Sequence, residues 1–395
     1  MSKGDGPLLL IGFRLGVLRA LRELDRRAIV VVDRGRQVPA DERIEAVREV
    51  DLHGPIGAIE SQVRAALGQR EPAAVLALAE RTVVVAAHLR AALGLPGNSP
   101  ATALACADKV VMKRAMDAAG VPVARWCELR RDSTAAELVE HLGLPLVIKP
   151  RRDSGGRQQR KLDDLPAVEL ALAELARGDG YDQGYGWLAE GWIDGVEMSV
   201  ESFVRGGASL FANPTEYFVR RHANILPAQL PQETWSQVRE FAAAAVRAVG
   251  VERGMTHLEL FQTARGLVFG ELAVRPPGGR LMQLIERAWG FDPWRAMLEL
   301  ELGLEPRFPH APARCAGVWL LHPGAGTVRA VQGIDQARAV PDVRRVVLKV
   351  GRGDHVTERL GSGQDVCAVY AEAEERDAVA RALSAATDAI HFELD

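Results

Sequence analysis

The sequence predicts an α/β protein of more than one domain, and three observations carry that expectation. An apolar run over Pro7 to Phe13, a helical stretch over Leu15 to Leu24 and a second apolar run over Ala28 to Asp33 follow one another, which is the order of parallel βαβ construction. The alternation returns at Val75 to Leu78 and the helix Val83 to Leu93, then stops in a turn cluster of Gly94, Pro96, Gly97, Asn98 and Pro100. At 395 residues the chain exceeds one ordinary core, so two or three domains are expected, the first ending near residue 100. Gly12 and Gly16 stand between strand and helix, but their spacing is not a dinucleotide fingerprint, and they read as turn and packing residues.

Composition narrows the partners. Charged residues make up 26% of the chain and the formal net charge is -3, so there is no cationic surplus for nucleic acid or a membrane surface, and small molecules are the expected partners. Cys106, Cys127, Cys315 and Cys367 lack metal-ligand or disulfide-scaffold spacing, which fits a reducing cytoplasm. No stretch approaches the roughly 18 apolar residues of a membrane span.

Beyond the turn cluster, Ala101 to Ala119 reads as one long helix with Asp108 and Lys109 in its middle. Leu144 to Pro150 reads as a strand ending in Lys149, whose ammonium would be costly to bury without an anion such as phosphate. Ser154, Gly155 and Gly156 follow, a turn whose backbone N–H groups suit phosphate, though a plain hairpin turn has the same composition. Gly186 to Gly195 reads as strand and turn, and an alternating strand begins at Val196. Trp192 and Ile193 offer flat apolar walls and backbone groups for a purine, and Glu197 could accept ribose hydroxyls, with exposure to solvent the plainer alternative for both Glu197 and Glu201. Thr256 to Thr263 and Leu267 to Arg275 form a predicted hairpin about Ala264, Arg265 and Gly266. Glu259 and Glu271, twelve residues apart, then face each other and repel unless a cation lies between them. Mg²⁺ wants such a pair together with phosphate oxygens; two solvent-facing glutamates are the plainer alternative.

Taken in order, Asp108-Lys109, AGVP at Ala119 to Pro122, VIKP at Val147 to Pro150, the glycine loop, AEGWIDGVE at Ala189 to Glu197, and the HLEL and ELAVRPPGG pair resemble the ATP-grasp superfamily of carboxylate-amine ligases, nearest its L-amino-acid ligase branch. The resemblance covers about residues 95 to 305. It implies an ATP-grasp fold with an N-terminal Rossmann-like α/β domain over 1–100, an ATP-grasp domain over 101–310 and a small C-terminal α+β domain over 311–395. Within the second, a small lobe would take about 120–195 and a large lobe 196–310.

By that resemblance Lys109 and Lys149 hold ATP phosphates beneath the loop Ser154, Gly155 and Gly156. The segment Glu190, Gly191, Trp192 and Ile193 meets adenine, and Glu197 takes the ribose. Glu259 and Glu271 bind Mg²⁺, with Mn²⁺ as a substitute. Lys149 and Arg275 are the catalytic cations, and His257, Arg275, Gly278, Gly279 and Arg280 face the substrate. The implied reaction is ATP-dependent amide or peptide bond formation through an acyl phosphate, releasing ADP and phosphate. It needs positioning and charge neutralisation more than a protein nucleophile. The partners would be a small carboxylate and a small amine, without nucleic acid or membrane, and with a homodimer allowed. A biotin-dependent carboxylase subunit and a nucleotide-binding module without catalysis are the alternatives.

Two positions depart from the family pattern. Ala273 stands where an asparagine oxygen usually joins the metal, and Arg157 and Arg160 make the glycine loop more cationic than usual. In the last third, Leu281 to Trp289 and Pro293 to Leu302 read as helices backing the site, and Pro306 to Pro312 as a linker. Strands at Val318 to His322, Val343 to Val350 and Val366 to Glu372 precede a helix from Asp377 to His391. His322 and His355 have no ligand-spaced partner and read as structural or solvated.

Overall fold

The computed structural model describes residues 6–153, 155–156, 158–177, 186–361 and 364–395. Ser154 and Arg157 of the expected phosphate loop lie outside these residues. The N-terminal sheet is parallel, built from β1 (Leu8–Ile11), β2 (Ala28–Asp33), β3 (Ile44–Val50) and β4 (Ala74–Ala77) in the order β3-β2-β1-β4. β1 and the first five residues of β2 are buried because helices cover both faces of a parallel sheet. The edge strand β3 and the helix Ile56–Leu67 carry mixed polar sequence, and periodicity alone did not predict either.

The helix expected over 101 to 119 is two helices, Pro100–Ala107 and Lys109–Ala118. Asp108 breaks them: its backbone is extended, and its carboxylate caps the second helix by accepting from Val110 and Val111 N–H. Lys109 thereby becomes the first residue of a helix rather than the middle of one. A small antiparallel sheet follows, made of β5 (Trp126–Leu129), β6 (Leu146–Pro150), β7 (Arg160–Leu162) and β8 (Trp187–Gly191), in the order β5-β8-β6-β7. The helices Ala135–Leu142 and Leu165–Arg177 complete a separate core around Leu138, Ile148, Val168 and Leu172.

The large sheet begins with β9 (Val196–Arg205), β10 (Ala208–Val219), β11 (Ala223–Leu226), β12 (Arg253–Thr263) and β13 (Gly266–Ala273). It continues through residue 310 into β14 (Cys315–Leu321), β16 (Val343–Leu348) and β18 (Cys367–Ala373), giving the order β13-β12-β9-β10-β11-β14-β18-β16. β15 (Gly326–Gln332), β17 (His355–Val356) and β19 (His391–Leu394) form a three-stranded sheet beside it. β8 and β9 belong to different sheets, so the Asp194-Gly195 turn is a crossing between lobes and not a hairpin tip.

One apolar core joins the N-terminal sheet (Leu8, Leu10, Val30), the large sheet (Phe203, Phe211), the helices Leu281–Trp289 and Pro293–Glu301, and the C-terminal strands (Val318, Ala368, Tyr370). Phe203, Phe211, Phe291 and Phe308 pack ring to ring within it, with centroids 5.1–5.9 Å apart. Burial at this scale makes those parts one platform, against which the small sheet stands as a separately packed lobe.

Candidate active site

Three lysines and two glutamates form the cationic wall of the cleft. Lys109 and Lys113 are one turn apart on the same helix face. Lys109 Nζ lies 3.3 Å from Glu271 and donates to the Asp153 carbonyl at 2.9 Å. Lys113 Nζ lies 2.7 Å from Glu190, whose other oxygen is paired with Lys149. Burial opposes the charge of Glu190, but Lys113 and Lys149 outweigh it and hold the carboxyl down to about 2. One carboxylate cannot fully compensate two ammonium groups. Burial, with Lys149 adding repulsion, depresses Lys113, whereas Lys149 overcomes its own burial through Glu190, Glu271 and Glu259 and is raised.

β9 and β12 supply the acidic strip. Their register sets Glu197 beside Phe261, Ser199 beside Glu259, and Glu201 beside His257, while β13 puts Glu271 directly opposite Glu259. Alternation places Glu197, Ser199 and Glu201 on one face of β9. Glu201 is not a solvent-facing residue: its side chain is 0% exposed. It accepts from Ser199 and Thr215 hydroxyls, and His257 Nδ1 lies 2.8 Å from it. Asn213 extends the network to the Trp289 indole N–H at 2.8 Å. His257 Nε2 is 3.6 Å from Glu259. Burial alone would neutralise this imidazole, but Glu201 and Glu259 raise its pKa to about 9. Partial burial likewise opposes the charge of Glu259, and His257, Tyr217 and Arg275 hold that carboxyl down to about 2. With 11% of its side chain exposed, His257 turns both ring nitrogens toward carboxylates, Glu201 and Glu259.

The crossing between lobes is less open than the sequence reading expected. Gly191 N–H donates to Arg125 carbonyl at 2.9 Å and Trp192 N–H to Pro145 carbonyl at 3.0 Å. Neither is available to a purine, and the Glu190 side chain points to the lysines instead. Ile193 is half-buried beside them. The Trp192 ring is flanked by Lys161 Nζ at 4.8 Å and Arg220 at 5.8 Å. Arg220 also pairs with Glu197, whose carboxyl is raised by burial and by Glu259 against that pairing. Gly155 and Gly156 have φ of 74° and 66°, the left-handed conformation that a tight loop needs.

At the other end, Arg275 lies beyond β13 and donates from Nε to Glu80 at 2.7 Å, a residue of the N-terminal domain. Arg14 reaches the same place, donating to the Leu78 carbonyl at 3.0 Å and the Pro277 carbonyl at 2.7 Å. Burial, then Arg275, lowers its pKa to about 10. Around Gly278 a β-carbon would meet nothing within 4 Å, whereas at Gly279 (φ 57°) it would come to 3.0 Å from Asn224. Arg280, at φ 63°, turns toward Asp365 at 3.3 Å.

Two family models match this chain: the ATP-grasp domain over residues 114–279 and the L-amino acid ligase C-terminal domain 2 over residues 318–395. The chain carries an ATP-grasp domain and an L-amino acid ligase C-terminal domain. It is 25% identical over 310 residues to an L-arginine-specific L-amino acid ligase of Bacillus subtilis, covering 75% of this chain and 74% of that one. Against a D-alanine–D-alanine ligase A of Brucella melitensis it is 29% identical over 270 residues, 63% of this chain and 68% of the other. Its fold matches the crystal structure of an L-amino acid ligase from Bacillus licheniformis with a TM-score of 0.83 and 21% identity over 99% of each chain.

The ATP-grasp cleft holds residues that the sequence reading missed. Lys113 was signalled by its spacing from Lys109, and Glu201 by the alternation of β9. Glu80, Arg14 and Tyr217 come from distant segments and carried no local signal. Tyr217 donates to Glu259 at 3.2 Å. Among the described residues no group of three His, Cys, Asp or Glu side chains is disposed to hold a metal alone. The facing carboxyl groups of Glu259 and Glu271 instead fit a hard cation that arrives with phosphate oxygens, and Ala273 adds no oxygen. No helix among them is long and apolar enough to cross a membrane.

Proposed function

We propose that this ATP-dependent ligase joins the carboxylate of one amino acid to the amine of another through an acyl phosphate, releasing ADP and phosphate. The observation that carries this reading is the apposition of Glu259 and Glu271, in register on adjacent strands, with Lys109 3.3 Å from Glu271. Lys109 and Lys149 neutralise phosphoryl oxygens, with Gly155 and Gly156 above them. Glu197 releases Arg220 to take the ribose, and the Trp192 and Ile193 side chains wall the base. Glu259 and Glu271 hold Mg²⁺, or Mn²⁺ in its place, which when bound neutralises charge on the transferred phosphoryl group. Arg275, oriented by Glu80, meets the acyl phosphate and its tetrahedral successor. The turn at Gly278 and Gly279 admits the reacting carboxylate, and Arg280 ties that turn to the C-terminal segment.

We read the working units as 1–100, 101–310 and 311–395, and the setting as cytoplasmic. ADP release measured with ATP, Mg²⁺ and a panel of amino acids tests the proposal. Turnover that requires an amino-acid pair is expected. Dependence on bicarbonate would favour the carboxylase alternative, and tight ATP binding without turnover would favour a binding module.

A further inference from the structure

A second cationic group stands between the phosphate loop and the substrate turn, outside the machinery above. Arg220 and Arg221 form the tip joining β10 to β11, where His222 N–H donates to the Val219 carbonyl at 2.8 Å. Arg221 adopts φ 66°, a conformation that side chains other than glycine, asparagine and aspartate rarely take. It leans on the phosphate loop, since a β-carbon on Gly156 would lie 2.8 Å from its guanidinium. Arg359, from the C-terminal segment, crosses over to this tip. It donates to the Arg221 carbonyl and to the His222 ring, 2.8 Å away at Nδ1. His322 accepts Gly324 N–H at Nδ1, which leaves Nε2 as its donor.

Among the described residues the group has little counter-charge: Glu197 reaches Arg221 but is already paired with Arg220. Asp365 is the carboxylate whose charge reaches both His322 and Arg359. Its oxygens are already engaged by Lys349 at 2.5 Å and Arg280 at 3.3 Å. Burial, followed by mutual repulsion, shifts His222, His322 and Arg359 downward. Arg359 finds carbonyl and imidazole partners, none of them anionic. Arg221 is exposed and Arg359 half-buried, and guanidinium groups crowded together at the rim of a cleft are ready to receive an oxyanion. Through Asp365, the group borders Arg280 and the turn where the reacting carboxylate is admitted.

We propose that Arg221, His222, His322 and Arg359 form an oxyanion subsite for a group of the amine substrate that takes no part in bond formation, either its carboxylate or a phosphate. The proposal rests on the ligase reading. An amino acid that attacks through its amine brings its own carboxylate with it, and that charge must be matched inside the cleft.

Calorimetry on protein saturated with Mg²⁺ and a non-hydrolysable ATP analogue tests the subsite with L-serine, L-serinamide and O-phospho-L-serine. If a carboxylate is recognised, serinamide binds at least tenfold more weakly than serine. If a phosphate is recognised, phosphoserine binds at least tenfold more tightly than serine. Arg359→Gln and Arg221→Asn, the latter suited to the left-handed backbone, should each erase that difference while analogue affinity stays within about twofold. Equal binding of all three probes, absence of binding, or a preference that survives both substitutions overturns the subsite. So does a parallel fall in analogue affinity, which would assign these cations to the nucleotide. ADP release without any amine dependence, with probe preference intact, would instead refute the ligase reading and leave the subsite standing.

Discussion

Lys109 lies 3.3 Å from Glu271, so the cation proposed for phosphate and the carboxylate proposed for the metal form an ion pair across the cleft. Under that proposal, nucleotide and metal part them together. Glu271→Gln removes the carboxylate charge while keeping its shape. Its expected outcome is an unchanged fold by circular dichroism and loss of ADP formation. Near-parental turnover at ordinary magnesium would overturn the metal assignment.

Glu190 balances two buried lysines, and its loss removes the carboxylate that each of them contacts directly. Glu190→Gln should destabilise the protein by about 3–5 kcal/mol in urea unfolding, the range for breaking a buried pair. Lys149→Ala should cost much less, because Lys113 remains 2.7 Å from the same carboxylate. The pH dependence follows in sign. Glu190 has a folded pKa of about 2 against an ordinary 4.5, so its contribution is present above 4.5 and is lost as pH falls toward 2. Parent and Glu190→Gln stabilities should therefore converge across that window.

His257 is the charged partner of Glu201, a fully buried carboxylate. His257→Leu should destabilise strongly, and adding Glu201→Gln should recover part of the loss because the buried charge is removed with its partner. Additive effects in this double-mutant cycle would show that the two side chains are not coupled.

Arg275→Lys keeps the charge but gives up the fork that can hold two oxygens at once. Loss of two charged hydrogen bonds made mainly in the transition state amounts to about 3 kcal/mol, or roughly a hundredfold in rate. ATP affinity should stay within a few fold of the parent. If affinity falls as far as turnover, Arg275 serves the nucleotide and not the acyl phosphate.

Much of this cleft could be read from sequence because its parts sit on short local patterns. The Glu259–Glu271 apposition follows from alternation about the three-residue turn that the sequence suggests, although the hairpin reaches it by a tighter turn and a bulge between Glu259 and Leu260; Lys149 follows from an apolar strand. The parts that escaped depend on distance along the chain. Arg275 and Glu80 are 195 positions apart, and only the packing of the N-terminal domain on the large sheet brings them together. Asp108 shows another limit: an acidic residue inside a helical pattern gives no warning that it will cap a second helix. The roles of Glu190 and Glu201 escaped for a third reason, since exposure is the usual fate of glutamate and only assembled partners reverse it.

The continuity of the large sheet constrains anyone who would re-engineer this enzyme by exchanging segments. β11 is hydrogen-bonded to β10 on one side and to β14 on the other, so the C-terminal portion is attached along a main-chain ladder and not at a side-chain interface. A chimera cut near residue 310 would have to reproduce that register residue for residue. Any version that stopped there would leave β11 as a bare edge over a large apolar core, inviting pairing with another copy.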